Sequence, residues 1–208
     1  MATPRTKLPV GTDDLPEGDP TIDRILDAAL ELFAEVSVRK TTLEDIAKRA
    51  GVDRVTVYRR LGSKSEVVQH VMARESRRIF ERIAQTASSF DDPDERVTRV
   101  FTEIVVSLRD HPLFNRMIRT EPEATLPKVT REAGDLLAMA VTFAAEHLVP
   151  EQPGPRDLDA QLARIEIVVR VIHSLVMTER AVVDLSTEKK LAAFARDYVA
   201  PIVNSPTR

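Results

Sequence analysis

A chain of 208 residues, 43% of them hydrophobic and with a net charge of −3, is long enough for one large domain or for a small domain joined to a larger one. No apolar run reaches the roughly 20 residues that span a bilayer, and the first residues lack the apolar segment of a secretory signal. The absence of cysteine excludes a disulfide framework and a thiolate metal site, and it fits a reducing, cytoplasmic setting.

The small net charge hides an uneven distribution. Between Arg39 and Lys64, eight Lys or Arg residues stand against Glu44, Asp45 and Asp53, a local excess of five positive charges that leaves the rest of the chain near −8. A basic head on an acidic body is the asymmetry expected of a nucleic-acid-binding module joined to something else.

Residues 1–20 hold Pro4, Pro9, Pro16, Pro20, Gly11 and Gly18 with few apolar side chains, and a disordered tail is expected there. From Thr21, a candidate N-cap, the apolar residues Ile22, Ile25, Leu26, Ala29, Leu32, Phe33 and Val36 follow a helical period. The next stripe is Leu43, Ile46, Ala47 and Ala50. Thr41 or Thr42 caps it, with Glu44 or Asp45 three residues on as in a capping box. Gly51 then offers a left-handed stop. A second short helix follows, in which Val52, Val57 and Leu61 face inward.

That second helix carries Arg54, Thr56, Tyr58, Arg59 and Arg60 in one cluster. Arg54 and Tyr58 are i,i+4 neighbours, as are Val55 and Arg59, so these four share the outward face. A packed helix, a glycine turn and a second helix with a free basic face make a helix-turn-helix. An arginine on that face can grip guanine O6 and N7 with two hydrogen bonds. The methyl groups of Val55 and Thr56 suit a thymine methyl. Tyr58, Thr42 and Lys64 suit phosphate oxygens, which fix register without reading sequence. Thr41 and Arg60 complete the candidate DNA-contacting set.

Ser63 to Glu66 forms another capping box and opens a long helix through Val68, Val71, Met72, Ile79 and Ile83 to about Ala87. Asp92-Pro93-Asp94-Glu95 starts the next one, a cap followed by proline and acids in the first turn; Pro112 interrupts it after His111. A short piece from Leu113 to Arg119 precedes expected breaks at Glu121-Pro122 and Leu126-Pro127. A helix from about Lys128 to Leu148 and a loop at 150–155 come next. Leu158, Leu162, Ile165, Val169, Ile172 and Val176 then step by alternating fours and threes, a heptad seam. The final helix, from about Thr187 to Val199, shows Leu191, Phe194, Ala195 and Tyr198 on one stripe. Two such helices fit either an ordinary core pair or a subunit interface about a two-fold axis. The interface candidates are Leu162, Ile165, Val169, Ile172, Val176, Phe194 and Tyr198. No period-2 strand of convincing length occurs, and an all-α chain is predicted.

The stretch from Thr21 to about Val71 resembles the DNA-binding domain of the tetracycline-repressor (TetR/AcrR) family of bacterial regulators. The matching text is TTLEDIAKRAGV, DRV, TVYRRLGSK, with its Thr-Val-Tyr and Gly-Ser-Lys elements at the family spacing. There are departures: Val55 stands where a small residue is frequent, Arg60 where His or an aromatic is frequent, and Leu61 where Phe is usual. The resemblance implies an all-α fold of about nine helices. A three-helix head over 21–66 would precede a larger helical regulatory and dimerisation domain over 67–208. It also implies a homodimer through the last two helices and a repressor released from its operator by a small molecule. Dimer symmetry then requires a roughly palindromic double-stranded site, with recognition helices near 34–36 Å apart or a multiple of it.

The family keeps its cavity among the middle helices. Phe101, Val105, Leu108, Phe114 and Met117 lie in that region here, as do Ile118, Met139, Phe143 and Met177. Few charges would line such a pocket, and the expected ligand is apolar or amphipathic. A solid core of the same residues is the bland alternative. His173 interrupts an apolar helix face and is a candidate polar contact. His70, His111 and His147 show no paired spacing, so no metal site is expected, nor any cofactor. Neither a Gly-x-Ser-x-Gly elbow, a phosphate-binding loop nor a dinucleotide fingerprint occurs in context, and the acids at 91–95 read as helix-start residues, so no enzyme is expected. Two further readings stay open: a DNA-binding regulator controlled by a protein partner rather than a small molecule, and a helical adaptor dimer that binds no DNA.

Overall fold

The computed structural model describes residues 19–148, 155–178 and 180–205, so the proline-rich tail and nearly all of the expected loop at 150–155 lie outside the described residues. Among the described residues every regular element is helical. The first helix, α1 (Pro20–Glu35), begins one residue earlier than its apolar period suggests. Asp19, not Thr21, is the cap. Its carboxylate accepts from the amides of Thr21 (2.8 Å) and Ile22 (3.4 Å), and Pro20 takes the first helical position, where a missing N–H costs nothing.

Helices α2 (Leu43–Ala50) and α3 (Arg54–Leu61) follow, then α4 (Lys64–Ser88). At the α3–α4 junction Gly62 has φ 77° and ψ −145°, a conformation that only glycine adopts readily. A Cβ there would also run into the Glu66 carboxylate. That carboxylate accepts from the Ser63 amide at 2.7 Å and starts α4 as a capping box.

Next come α5 (Pro93–Arg109), α6 (Pro112–Thr120), α7 (Pro122–Val129) and α8 (Gly134–Leu148). Asp92 caps α5 through the Glu95 amide at 2.8 Å. Pro127 does not break the chain as its neighbours suggest. It sits inside α7, and the helix ends two residues later, where the Thr130 amide bonds back to the Pro127 carbonyl. The helix expected from Lys128 accordingly starts only at Gly134. Helix α9 (Pro155–Met177) is followed by α10 (Glu188–Phe194), which continues through a π turn at Ala195–Val199 into α11 (Ala200–Asn204).

The described residues form two compact units. One comprises the described part of Pro9–Arg78 with His111–Thr130, and the other comprises Ile79–Asp110 with the described part of Arg131–Arg208. In the first unit, Ile25, Phe33, Ile46, Val57, Val67 and Val71 build a core that joins α1 to α4. Leu113 of α6, 1% exposed, is buried in that same core, with Met117 packed against it. Ion pairs fasten the rim. Arg74 of α4 donates to Asp27 of α1 at 2.7 Å, and Arg49 of α2 reaches both Glu31 and Glu35. His111 starts α6: its Nδ1 accepts from the Phe114 amide at 3.4 Å, while Nε2 lies 3.5 Å from Glu75.

In the second unit α5 is the central helix. Val97, Phe101 and Val105 meet Val168 and Ile172 of α9 and Leu191, Ala195 and Val199 of the last helix. The Arg109 guanidinium donates to the carbonyls of Leu175 and Leu185, so one side chain ties the end of α9 to the segment before α10.

Candidate nucleic-acid interface

The turn between α2 and α3 follows from a few residues. The Thr42 hydroxyl accepts from the Asp45 amide and the Asp45 carboxylate accepts from the Thr42 amide, closing the capping box of α2. Nine residues after Thr42, Gly51 adopts φ 67° and ψ 36°. Its amide bonds to the Lys48 carbonyl and that of Val52 to the Ala47 carbonyl, the paired pattern of a Schellman stop. Asp53 caps α3 at once. One carboxylate oxygen accepts from the Thr56 amide (2.7 Å) and the other from the Thr56 hydroxyl (2.8 Å), which holds the Asp53 carboxyl below the usual carboxylate range.

Helix α3 buries only Val57 and Leu61. Arg54, Val55, Tyr58 and Arg59 are exposed together; Val55 keeps 71% of its surface and Tyr58 63%. Among the described residues neither Arg54 nor Arg59 makes an ion pair. Two unpaired guanidiniums thus flank an apolar residue and a phenol on a helix held by one buried edge. Such a surface can donate to base edges and phosphates and touch methyl groups.

The other candidates divide. Thr42 is exposed at the start of α2. The Lys64 ammonium donates to the Arg39 carbonyl at 3.0 Å, which places it beside the α1–α2 turn. Arg39 and Lys40, exposed on that turn, add cations there that the helical pattern did not single out; their signal was the basic pair directly before Thr41. Two further candidates, Thr41 and Arg60, are engaged within the chain. Thr41 is 2% exposed and its hydroxyl donates to the Ser37 carbonyl at 2.8 Å, so it holds the turn together instead of facing outward. Arg60 pairs with Asp19 at 2.7 Å and braces the start of α1. The half-buried Thr56 spends its hydroxyl on Asp53.

The residues expected around a cavity fall into both units. Phe101 and Val105 are buried in the α5 core with Leu108 against it, and Phe143 packs at a tilt against Phe80 (centroids 4.5 Å apart) in a smaller cluster. Met139, His173 and Met177 are half-buried in that same unit. Phe114, Met117 and Ile118 belong to the unit built on α1 to α4.

The heptad seam is partly covered within the chain. Ile165, Val169 and Ile172 are 1%, 8% and 8% exposed within the single chain, because α9 lies against α5, α8 and α11 of its own unit. Leu162, Val176 and Phe194 are half-buried, while Tyr198 is 63% exposed. The outward side of α9 carries Ile167, 51% exposed, and the Glu166–Arg170 ion pair.

Comparison with known proteins agrees with this geometry. Residues 25–71 match the family described as "Bacterial regulatory proteins, tetR family". An HTH-type transcriptional regulator of Mycobacterium tuberculosis is 30% identical over 181 residues, covering 87% of this chain and 84% of the relative. The HTH-type regulator SrpR of Pseudomonas putida is 47% identical over 57 residues, 27% of each chain. Among solved structures, the repressor AlkX from Dietzia sp., described as implicated in biodegradation of n-alkanes, superposes with a TM-score of 0.60 at 18% identity. That match covers 90% of this chain and 97% of AlkX, and it shows a shared fold.

Proposed function

Because the chain belongs to the TetR family of DNA-binding transcriptional regulators, a family of regulators and not of enzymes, we propose that it is a homodimeric repressor. It reads a palindromic operator with α3 and leaves it when a small apolar or amphipathic ligand binds the α5-centred unit. The observation that carries the reading is the exposed quartet of Arg54, Val55, Tyr58 and Arg59, whose two guanidiniums have no acid partner among the described residues. Thr42, Lys64 and the Arg39–Lys40 turn supply phosphate contacts beside it. As a regulator that acts on DNA it is placed in the cytoplasm; separately, among the described residues no helix is long and apolar enough to cross a membrane.

Supporting the dimer are the outward Ile167 and Tyr198 on the last two long helices, since the heptad seam is already used within the chain. Replacing both Ile167 and Tyr198 with aspartate is expected to give a folded monomer by light scattering coupled to size exclusion. A dimer of unchanged mass would rule that surface out. The effector acts through linkage: a ligand that binds more tightly to the form released from DNA weakens DNA binding by the same factor.

Selection of bound sequences from a random duplex pool tests the function as a whole. A palindromic consensus is expected, and affinity for it should fall steeply with salt. Six to ten phosphate contacts per dimer correspond to a loss of about three to five orders of magnitude between roughly 50 and 200 mM. No enrichment above random would reject the proposal. Melting-point screens against small apolar compounds then separate a ligand-released repressor, which is stabilised by its effector, from a regulator controlled by a protein partner.

A further inference from the structure

We propose that Val55 is a specificity residue that reads thymine, by packing its methyl groups against the 5-methyl that thymine projects into the major groove. The inference rests on the assignment of α3 as the base-reading helix. Val55 is the second residue of α3 and keeps 71% of its surface, although its neighbours Val52 and Val57 are half-buried and buried. None of the three apolar clusters among the described residues includes it.

The chemistry of the leading turn favours Val55 for this role. The Thr56 hydroxyl and amide are both given to Asp53, which fixes that side chain toward the helix start. Arg54 and Arg59 offer only donors. Val55 offers no donor or acceptor, so it cannot distinguish bases by hydrogen bonding; a methyl group is the one major-groove feature it can recognise. Its β-branched side chain has one strongly preferred rotamer in a helix, so little freedom is lost on contact. Arg54 beside it and Arg59 one turn on place guanine-reading groups next to a thymine-reading one.

The test uses the full chain and the site it selects. Each thymine of that site is replaced, one position at a time, by deoxyuridine, which pairs identically but lacks the methyl. Affinity is measured at fixed salt. At one symmetry-related pair of positions the loss is expected to be about four-fold per methyl and about fifteen-fold with both half-sites changed. Val55→Ala, which should melt like the parent because the side chain is exposed, is expected to bind the thymine and uracil duplexes equally. A parent protein that tolerates uracil at every position overturns the Val55 assignment and leaves operator binding standing. A Val55→Ala protein that keeps the full uracil penalty overturns it too. Failure to select any site overturns the operator reading itself and takes this inference with it.

Discussion

A protein in which Arg54 and Arg59 are both replaced by alanine is expected to lose operator binding while its helical content and dimeric mass stay unchanged. Both side chains are exposed, so removing them opens no cavity. Each bidentate arginine–guanine contact is worth about 1–3 kcal/mol of discrimination. A two-fold dimer uses each arginine twice, so even one substitution should cost about 2–6 kcal/mol, roughly 30-fold to beyond 10,000-fold in affinity. Arg60→Ala is the informative companion. Its guanidinium is 2.7 Å from Asp19, so it should chiefly loosen the start of α1 and affect DNA affinity far less. Titration of a labelled operator at constant salt distinguishes these variants. Equal affinity for the parent and the double variant would disprove the assignment of α3 as the reading surface.

The second large effect lies away from α3. Leu113→Ala is expected to destabilise the protein by about 2–5 kcal/mol, because truncating a fully buried leucine costs both transfer energy and a cavity. At this chain length each kcal/mol lowers the melting point by about 2–4 °C, so a fall of at least several degrees should be seen by calorimetry. Leu113 is 1% exposed in the core of α1 to α4, although it follows the family-matched residues 25–71 by some forty positions. An unchanged melting temperature would mean that α6 contributes nothing to that core.

The features that the sequence disclosed best are short-range ones. The Thr42–Asp45 and Ser63–Glu66 boxes, the Asp92 cap and the Gly51 stop each involve residues three to five apart, and the linear pattern contains every partner. The outward position of Arg54, Val55, Tyr58 and Arg59 follows from helical spacing in the same way. Partners distant in sequence were not legible. Nothing near Arg60 announces that it will pair with Asp19, forty-one residues away, and Thr41 looks like any exposed cap until Ser37 takes its hydroxyl. Periodicity reveals that α9 has an apolar stripe but not what covers it. Ile165, Val169 and Ile172 would fit a partner subunit equally well, and here the chain's own helices cover them. The segment from Pro112 to Thr130 misled for a related reason. Pro127 reads as a stop, yet it removes only the one bond that its N–H would have given the Glu123 carbonyl, and α7 ends two residues later.

The discontinuous make-up of the unit that holds α3 bears on how this protein can be built and rebuilt. During synthesis α1 to α4 leave the ribosome with the socket for Leu113 vacant, and the whole of α5 must be made before the filling residue appears. A gene fusion spliced just beyond Arg78 would carry α3 but not the residue that plugs the core behind it. Chimeric regulators made from this chain should therefore take His111–Thr130 along with the head, or supply from the new partner a leucine-sized group for the same hole.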